Sequence, residues 1–256
     1  MLGEFVLPGG GAVWTSTMLA AFGQLDIAEK NARQALARVA EQGVIEAERH
    51  GRETRWNLTA RGRRLLETGA TRIYEFGTAP IGWNGEWLVA HCPVPETQRS
   101  LRHQLRTQLS FEGFGELAAS LAVSPHVERE AALRRILEGL GLAAVSVVLR
   151  SRTGSPAADA DLVQRAWDLG DLAATYHAFG RTHRGRRAST PEAKFRATVD
   201  LVHDWRRFPF IDPELPTDLL PRQWAGTTAC TVFHECRDRW RPHAAAWFAA
   251  QEARRG

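Results

Sequence analysis

Two predicted helices, a short connection and a hairpin follow one another in residues 15–58, and this order constrains the fold most strongly. The apolar segment Thr15 to Phe22 predicts a short helix that a glycine ends. Asp26, with Glu29 three residues later, predicts the capped start of a second helix that Gly43 ends. Alternating residues around a turn at 50–53 then predict a β-hairpin. This is the order of a winged helix-turn-helix, in which the second helix enters the DNA major groove.

The second predicted helix has one apolar face and one basic face. The apolar face is expected to be formed by Ala28, Ala32, Ala35, Leu36 and Val39, which recur at helical spacing. The candidate DNA-binding residues lie opposite this face and in the hairpin, and they are Lys30, Arg33, Gln34, Arg38, Arg52 and Arg55. An ordinary helical hairpin with solvated charges, or a winged helix that binds protein, would show the same spacing.

The charge distribution favours an anionic partner for this segment. The 256-residue chain carries 33 basic and 29 acidic residues, a formal surplus of +4. Residues 28–64 hold nine basic and five acidic side chains, and this difference of four equals the whole surplus. The longest mostly apolar run, Leu140 to Leu149, is too short to span a bilayer. Three scattered cysteines are typical of reduced thiols, so we expect a soluble, cytoplasmic protein without a membrane partner.

Two linker-like stretches, Glu75 to Gly85 and Ser151 to Asp161, divide the chain into three. We expect a winged helix-turn-helix domain at 1–75, a central domain at 83–152 and a mainly helical domain at 160–252. The fold class is therefore α+β and multidomain.

The central segment alternates strands and helices, which predicts a small ferredoxin-like α/β sandwich. The predicted strands and helices are, in order, strand Glu86 to Cys92, helix Glu96 to Phe111, strand Leu117 to Val123, helix Val127 to Leu140 and strand Ala143 to Arg150. The last segment has helical spacing in three stretches, Leu162 to Phe179, Pro191 to Trp205 and Cys230 to Ala250.

Four stretches resemble a known family over almost the whole chain. They are GEFVLPGGGAVW (Gly3 to Trp14), NARQALARVAEQGVIEAER (Asn31 to Arg49), LTARGRRLLETGATRIYEF (Leu58 to Phe76) and LVHDWRRFPFIDPELPTDLLPRQWAG (Leu201 to Gly226). They resemble the PaaX family, bacterial repressors of phenylacetic acid degradation. The resemblance implies a winged helix-turn-helix, a central domain similar to the CRISPR-associated adaptation nuclease fold that tends to dimerise, and a helical carboxy-terminal domain. It also implies double-stranded operator DNA as partner, a homodimer, and release of DNA by phenylacetyl-coenzyme A.

Members of this family usually carry a further helix before the segment that begins at Gly3. We therefore expect the true start codon to lie upstream, with about 20 more residues. Without that helix, the inward side chains of Met18, Leu36 and their neighbours Leu19, Phe22 and Val39 are expected to be partly open or covered by a dimer partner.

The densest polar and aromatic cluster of the chain spans residues 203–208. Its candidate effector-binding residues are His203, Trp205, Arg206 and Arg207. Guanidinium groups suit the phosphates of coenzyme A, and aromatic walls suit an aryl-acyl end. Alternatively, the cluster is a buried network that ties the helical domain to its neighbours.

Catalysis has little support in the sequence. A nuclease would need a carboxylate at the far end of the first central strand, which offers only Glu86 at its start. The pairs His91 with Cys92 and His234 with Cys236 lack the spacing of a zinc finger. We expect no catalytic residue, no metal and no cofactor.

The leading hypothesis is a ligand-responsive repressor of an aromatic or acyl-coenzyme A catabolic operon. The alternatives are a metal-dependent nucleic-acid hydrolase built on the central domain, or a degenerate family member that binds ligand or protein without DNA.

Overall fold

A computed structural model describes residues 1–254 and shows a mixed α+β chain with two antiparallel sheets. The described chain forms two compact units. Within the described residues, the first unit comprises Met1–Phe76, Phe179–Arg206 and residues 230–254, and the second comprises Gly77–Ala178 and Arg207–Ala229. The expected helical segment 160–252 therefore contributes residues to both units.

The first unit contains, in its first 76 residues, a short π-helix (Leu2–Val6), a three-stranded sheet and three α-helices. The strands and α-helices are β1 (Ala12–Trp14), α1 (Thr15–Gly23), α2 (Glu29–Glu41), β2 (Ile45–His50), β3 (Glu53–Leu58) and α3 (Ala60–Tyr74). The strand order is β1-β3-β2, with both pairings antiparallel. The predicted short helix, second helix and hairpin are confirmed.

Specific backbone requirements fix the hairpin and the start of α3. Gly51 adopts a positive φ of 62° in the two-residue turn between β2 and β3, a conformation that glycine tolerates best. Thr59 caps α3 by accepting a hydrogen bond from the Gly62 amide at 2.9 Å, and its hydroxyl donates to the Gly43 carbonyl at 2.7 Å. The start of α3 is thereby tied to the end of α2.

The core of the first unit is shared between the early elements and two later helices, α8 (Pro191–Trp205) and α10 (Ala225–Ala253). The Phe5 ring stacks on Phe248 of α10 with centroids 5.3 Å apart, and lies 5.1 Å from the Phe195 ring of α8. Met18 and Leu36 are buried in the same cluster. The expectation of an open core is wrong for Met18 and Leu36, because aromatic side chains of the same chain cover them, whereas Leu19, Phe22 and Val39 are only partly buried.

The second unit contains a four-stranded antiparallel sheet of order β5-β6-β4-β7. Its strands are β4 (Trp87–His91), β5 (Gly115–Ala118), β6 (Leu121–Ser124) and β7 (Val147–Ser151), with α4 (Arg99–Phe111) and α5 (Glu130–Gly139) between them. Leu105 and Leu109 of α4 and Leu133 and Leu137 of α5 pack in one cluster with Leu88 and Ala90 of β4. Both helices therefore cover one face of the sheet.

Two sequence predictions for this unit need correction. The single strand predicted from Leu117 to Val123 is two strands, β5 and β6, because the chain reverses at residues 119–120 and pairs with itself. The linker predicted from Ser151 to Asp161 contains the start of α6 (Pro156–Ala166). Ser155 caps that helix and Pro156 occupies its first turn, so residues that resemble a linker instead begin a helix.

The remaining elements of the last third are α7 (Leu169–His183), a short α9 (Phe208–Ile211) and a 3-10 helix at Thr217–Leu219. Three stretches with helical spacing were predicted, and helices occupy each of them, with the first divided between α6 and α7. In residues 1–254, no helix combines the length and apolar character required to cross a membrane.

Candidate nucleic-acid interface

Helix α2 presents the predicted basic face to solvent. Lys30, Arg33, Gln34 and Arg38 are all exposed, whereas Ala32 and Leu36 on the opposite face are 0% and 3% exposed. Leucine and alanine anchor the helix in the core, so the basic side chains must point outward. Ala28 was expected on the buried face but is exposed, because it precedes the first turn of the helix.

The predicted cap of α2 is wrong. The N-terminal cap position is Ala28, and no side chain caps the helix. Asp26 instead adopts a positive φ of 59° in the connection between α1 and α2, and its carboxylate pairs with Arg196 of α8 at 2.7 Å. Asp26 thus connects the helix-to-helix turn to α8 rather than stabilising the start of α2.

Most of the exposed basic side chains on α2 have no ion-pair partner among residues 1–254 and are available to bind a ligand. Arg33 has a neighbour in Glu29, with Nη2 and Oε2 3.6 Å apart, but both side chains are largely solvated. Within residues 1–254, the side chains of Lys30 and Arg38 form no hydrogen bond or ion pair. An exposed pair of this kind contributes little stability, so Arg33 can exchange Glu29 for a phosphate at small cost.

The two candidate residues of the hairpin, Arg52 and Arg55, lie in different environments. Arg52 lies exposed in the turn, as expected for a wing tip. Arg55 is half-buried on β3, opposite Trp14 of β1, and its guanidinium carbon lies 5.5 Å from the centre of the Trp14 ring. Arg55 therefore holds the base of the hairpin as well as presenting charge.

Acidic groups lie on the same hairpin. Glu48 accepts a hydrogen bond from the Asn57 amide at 2.9 Å and lies 3.1 Å from His50. The Asn57 amide, helped by His50, holds the pKa of the Glu48 carboxyl below its usual value. Glu48 is therefore ionised at neutral pH and places a negative charge on the hairpin beside the basic residues.

A further basic group begins α3 and was not among the predicted site residues. Arg61, Arg63 and Arg64 are exposed in its first turns. The Arg61 side chain reaches Gly43, the residue beyond α2, and Arg63 lies against Gly11. The signal was present in the run Ala60 to Arg64, where three of five residues are arginine.

The four predicted effector residues do not share one environment. His203 and Arg206 line a cavity of 370 Å³ in the first unit, together with apolar residues such as Leu66 and Val199. Trp205 is 0% exposed, its Nε1 donates to the Ile73 carbonyl at 3.0 Å, and its ring stacks on Phe233. The Arg207 guanidinium lies over the Phe208 ring at 5.4 Å.

No catalytic or metal constellation accompanies the basic surface. Among residues 1–254, no three His, Cys, Asp or Glu side chains come together in a way that could hold a metal ion. Cys92, Cys230 and Cys236 are free and buried, and burial raises the pKa of each thiol. These thiols are therefore protonated at neutral pH.

Comparison with known proteins covers nearly the whole chain. Three family models match in order, a PaaX-like protein at residues 1–62, a PaaX protein central Cas2-like domain at 80–163 and a PaaX-like protein C-terminal domain at 167–250. The transcriptional repressor PaaX of Escherichia coli (strain K12) is 29% identical over 258 residues, which is 96% of this chain and 80% of that protein.

A solved structure shares the fold. The uncharacterized protein Rv0674 from Mycobacterium tuberculosis matches with a TM-score of 0.61 and 22% identity, over 93% of this chain and 89% of that one. Because the three family models follow one another along the chain and the curated relative aligns across them, the chain belongs to the PaaX family.

Proposed function

We propose that this chain is a transcriptional repressor that binds operator DNA as a homodimer and is released by an acyl-coenzyme A. The observation that carries the proposal is the exposed basic face of α2 in a member of a family whose relative in Escherichia coli is named a transcriptional repressor. The family resemblance points to phenylacetic acid catabolism as the regulated process.

The first unit supplies the DNA-binding element in this proposal. Its order β1, α1, α2, β2, β3 and the sheet order β1-β3-β2 support a winged helix-turn-helix. Lys30, Arg33, Gln34 and Arg38 would enter the major groove from α2, and Arg52 would contact the phosphate backbone from the hairpin tip. Arg55 has a supporting role at the base of the hairpin.

The experiment is a gel shift with DNA from the region beside the gene. Arg38→Ala should weaken binding by about 1–3 kcal/mol with relaxed specificity if Arg38 contacts a base edge. If Arg38 instead contacts the DNA backbone, Arg38→Ala should reduce the salt dependence of the binding affinity by the equivalent of about one phosphate contact. Arg165→Ala, which removes an exposed arginine of α6, is the matched control. Unchanged binding by both Arg33→Ala and Arg38→Ala refutes the assignment of α2.

The second unit supplies dimerisation in this proposal. Its strand and helix order and the sheet order β5-β6-β4-β7 support a ferredoxin-like sandwich. Edge strand β7 leaves Val147 50% and Leu149 57% exposed on one face, and Val145 just before it is 55% exposed. Contiguous exposed apolar side chains mark interaction surfaces. Leu149→Glu should convert the dimer to a monomer in light scattering, and a wild-type monomer at every concentration refutes the assignment.

The acyl-coenzyme A would bind near α8 in this proposal. Arg206 lines the 370 Å³ cavity and would present charge to phosphates, His203 would add a hydrogen-bonding ring, and the apolar walls suit an acyl chain. Buried Trp205 contributes to the surrounding structure through its hydrogen bond to the Ile73 carbonyl, and Arg207, which belongs to the second unit, is left out of the proposed site. Titration calorimetry with phenylacetyl-coenzyme A and aliphatic thioesters tests the site, and no heat together with no effect on the gel shift removes it.

The similarity to a transcriptional repressor supports a non-enzymatic role in this proposal. Incubation of labelled duplex with magnesium beside the gel shift tests the hydrolase alternative. A folded chain that binds a thioester but no DNA would instead identify a degenerate family member.

A further inference from the structure

The basic loop, residues 184–190 between α7 and α8, lies wholly within the first unit and has no role in the DNA recognition proposed for α2 and the hairpin. Four arginines fall within residues 181–187, and no acidic residue occurs between Arg181 and Thr190. Arg181 lies in the last turn of α7, where a positive charge is favourable at the end of the helix. Arg184 and Arg187 lie beyond that helix, and a cluster of like charges is most stable beside an anion.

Three contacts hold the basic loop against α8. At the start of the loop, His183 Nε2 lies 2.9 Å from Asp204 Oδ2. In its middle, Arg186 Nη2 donates to Asp200 Oδ2 at 2.8 Å. At its end, the Thr190 hydroxyl caps α8 by accepting a hydrogen bond at 3.1 Å from a backbone amide of the first turn. These contacts move towards the start of α8 as the loop advances, so the loop runs alongside the helix and antiparallel to it.

The same face of α8 contacts the turn between α1 and α2. Arg196, one helical turn before Asp200, pairs with Asp26 of this turn at 2.7 Å and donates to the Gln24 carbonyl at 3.3 Å. The hydrogen bond from Arg196 to Asp26, helped by the charge of Asp200, raises the pKa of the Arg196 guanidinium. An alternating chain of charges therefore connects the basic loop to the turn before α2, and its members are Arg186, Asp200, Arg196 and Asp26.

This chain of charges places the basic loop close to the helix that would enter DNA. Side chains four residues apart on a helix are about 6 Å apart, so the Arg186 guanidinium and the Asp26 carboxylate are on the order of 15 Å apart. The major groove is about 12 Å wide, so the phosphates that border it lie within reach of groups beside an inserted helix. Arg184 and Arg187 are exposed, and within residues 1–254 their side chains form no ion pair or hydrogen bond. Both can therefore bind an anion without losing a protein contact.

We propose that Arg184 and Arg187 bind phosphate groups of the DNA backbone beside the groove that α2 enters. The inference rests on the proposed DNA binding and extends its contact surface to the basic loop. A guanidinium suits a phosphate because its N–H groups form two parallel hydrogen bonds with the phosphate oxygens. The contacts that hold the loop against α8 reduce the entropy lost when its arginines bind. Backbone contacts carry no direct sequence information, so these arginines should add affinity for DNA of any sequence.

Fluorescence anisotropy of the full chain with two labelled duplexes of equal length tests the proposal. One duplex comes from the region beside the gene, and the other has an unrelated sequence. Arg184→Gln combined with Arg187→Gln should weaken binding to both duplexes, by about five- to tenfold for each arginine at about 0.1 M salt. The slope of log affinity against log salt concentration should fall by about two.

Two further double variants separate charge from structure. Arg184→Lys combined with Arg187→Lys keeps both charges and should bind within about threefold of the wild type, because lysine also binds phosphate. Arg135→Gln combined with Arg165→Gln removes two exposed charges from the second unit and is the matched control. It should bind both duplexes as the wild type does.

Hydroxyl-radical footprinting on the duplex from beside the gene gives a second measurement. The wild type should protect backbone positions that the double glutamine variant leaves open, while the remaining footprint is unchanged. Equal binding by the double glutamine variant and the wild type, weakening on only one of the two duplexes, or identical footprints overturns this inference and leaves the proposed DNA binding intact. A wild-type chain that binds neither duplex overturns both.

Discussion

Replacing Glu4 with glutamine should destabilise the first unit, because Glu4 is a buried carboxylate with three donors. Its side chain is 4% exposed. Arg241 Nε donates to Oε1 at 2.6 Å, Arg237 Nη2 donates to the same oxygen at 3.3 Å, and the Tyr74 hydroxyl donates to Oε2. Burial and the neighbouring Glu4 charge raise the pKa of Tyr74, so the phenol stays protonated and donates throughout the ordinary pH range.

The size of the effect follows from what the substitution leaves behind. Removing one partner of a fully buried ion pair costs about 3–5 kcal/mol, because the other charge remains buried. Arg237 and Arg241 are 20% and 33% exposed, so water compensates part of that loss. We therefore expect Glu4→Gln to lower the free energy of unfolding by about 2–4 kcal/mol. Tyr74→Phe leaves both ion pairs and should cost only about 1 kcal/mol.

Calorimetric melting at neutral pH measures both effects. A loss of 3 kcal/mol corresponds to a fall of about 6–12 °C in the melting temperature for a chain of this size. Glu67→Gln, which changes an exposed carboxylate on α3, is the control and should melt with the wild type. A Glu4→Gln protein that melts within about 1 °C of the wild type would show that the two arginines do not depend on this carboxylate.

Two further predictions concern stability. Gly62→Ala should destabilise the first unit by about 1–3 kcal/mol in chemical denaturation, because the new Cβ would lie 2.0 Å from the Val44 carbonyl oxygen. Gly69→Ala on the same helix is the control and should not destabilise the unit, because a Cβ there meets nothing within 4 Å. Burial lowers the pKa of His183, as it does for His126 and His234. At mildly acidic pH, the unfolded chain therefore binds more protons than the folded chain. The free energy of unfolding should therefore fall as pH drops below about 6.5, and His183→Gln should make that fall shallower; a wild-type stability that is flat from pH 7.5 to 5.5 contradicts this reasoning.

Local patterns in the sequence predicted the elements of the candidate interface well. The spacing of Ala32 and Leu36 identified the buried face of α2, and the exposed positions of Arg33 and Arg38 follow directly from it. The hairpin was recognisable because alternation on both sides of Gly51 leaves one register that turns Trp56 and Leu58 towards the core, where both are partly buried. Such features depend only on residues a few positions apart.

Features that depend on distant residues were not predictable. Asp26 has the composition of a helix cap, yet it pairs with Arg196, which is 170 positions away in the sequence. The core looked incomplete because Phe195 and Phe248 are also remote from the segment that they cover. A cavity of the second unit was equally hidden, since nothing in the spacing of Arg102 and Trp167 indicates that both residues line it.

The contacts of Trp14 suggest how a ligand could influence DNA binding from within the first unit. A ligand weakens DNA binding only if it favours a conformation that holds DNA less well. The Trp14 amide donates to Glu252 of α10 at 3.2 Å, while its ring lies 5.2 Å from the His50 ring and beneath the Arg55 guanidinium. Because Trp14 also immediately precedes α1, any displacement of α10 acts on the hairpin and on the helix pair through one residue. In the proposed repressor, coupling between effector and operator would therefore require no change in the basic residues themselves, only in the position of the elements that present them.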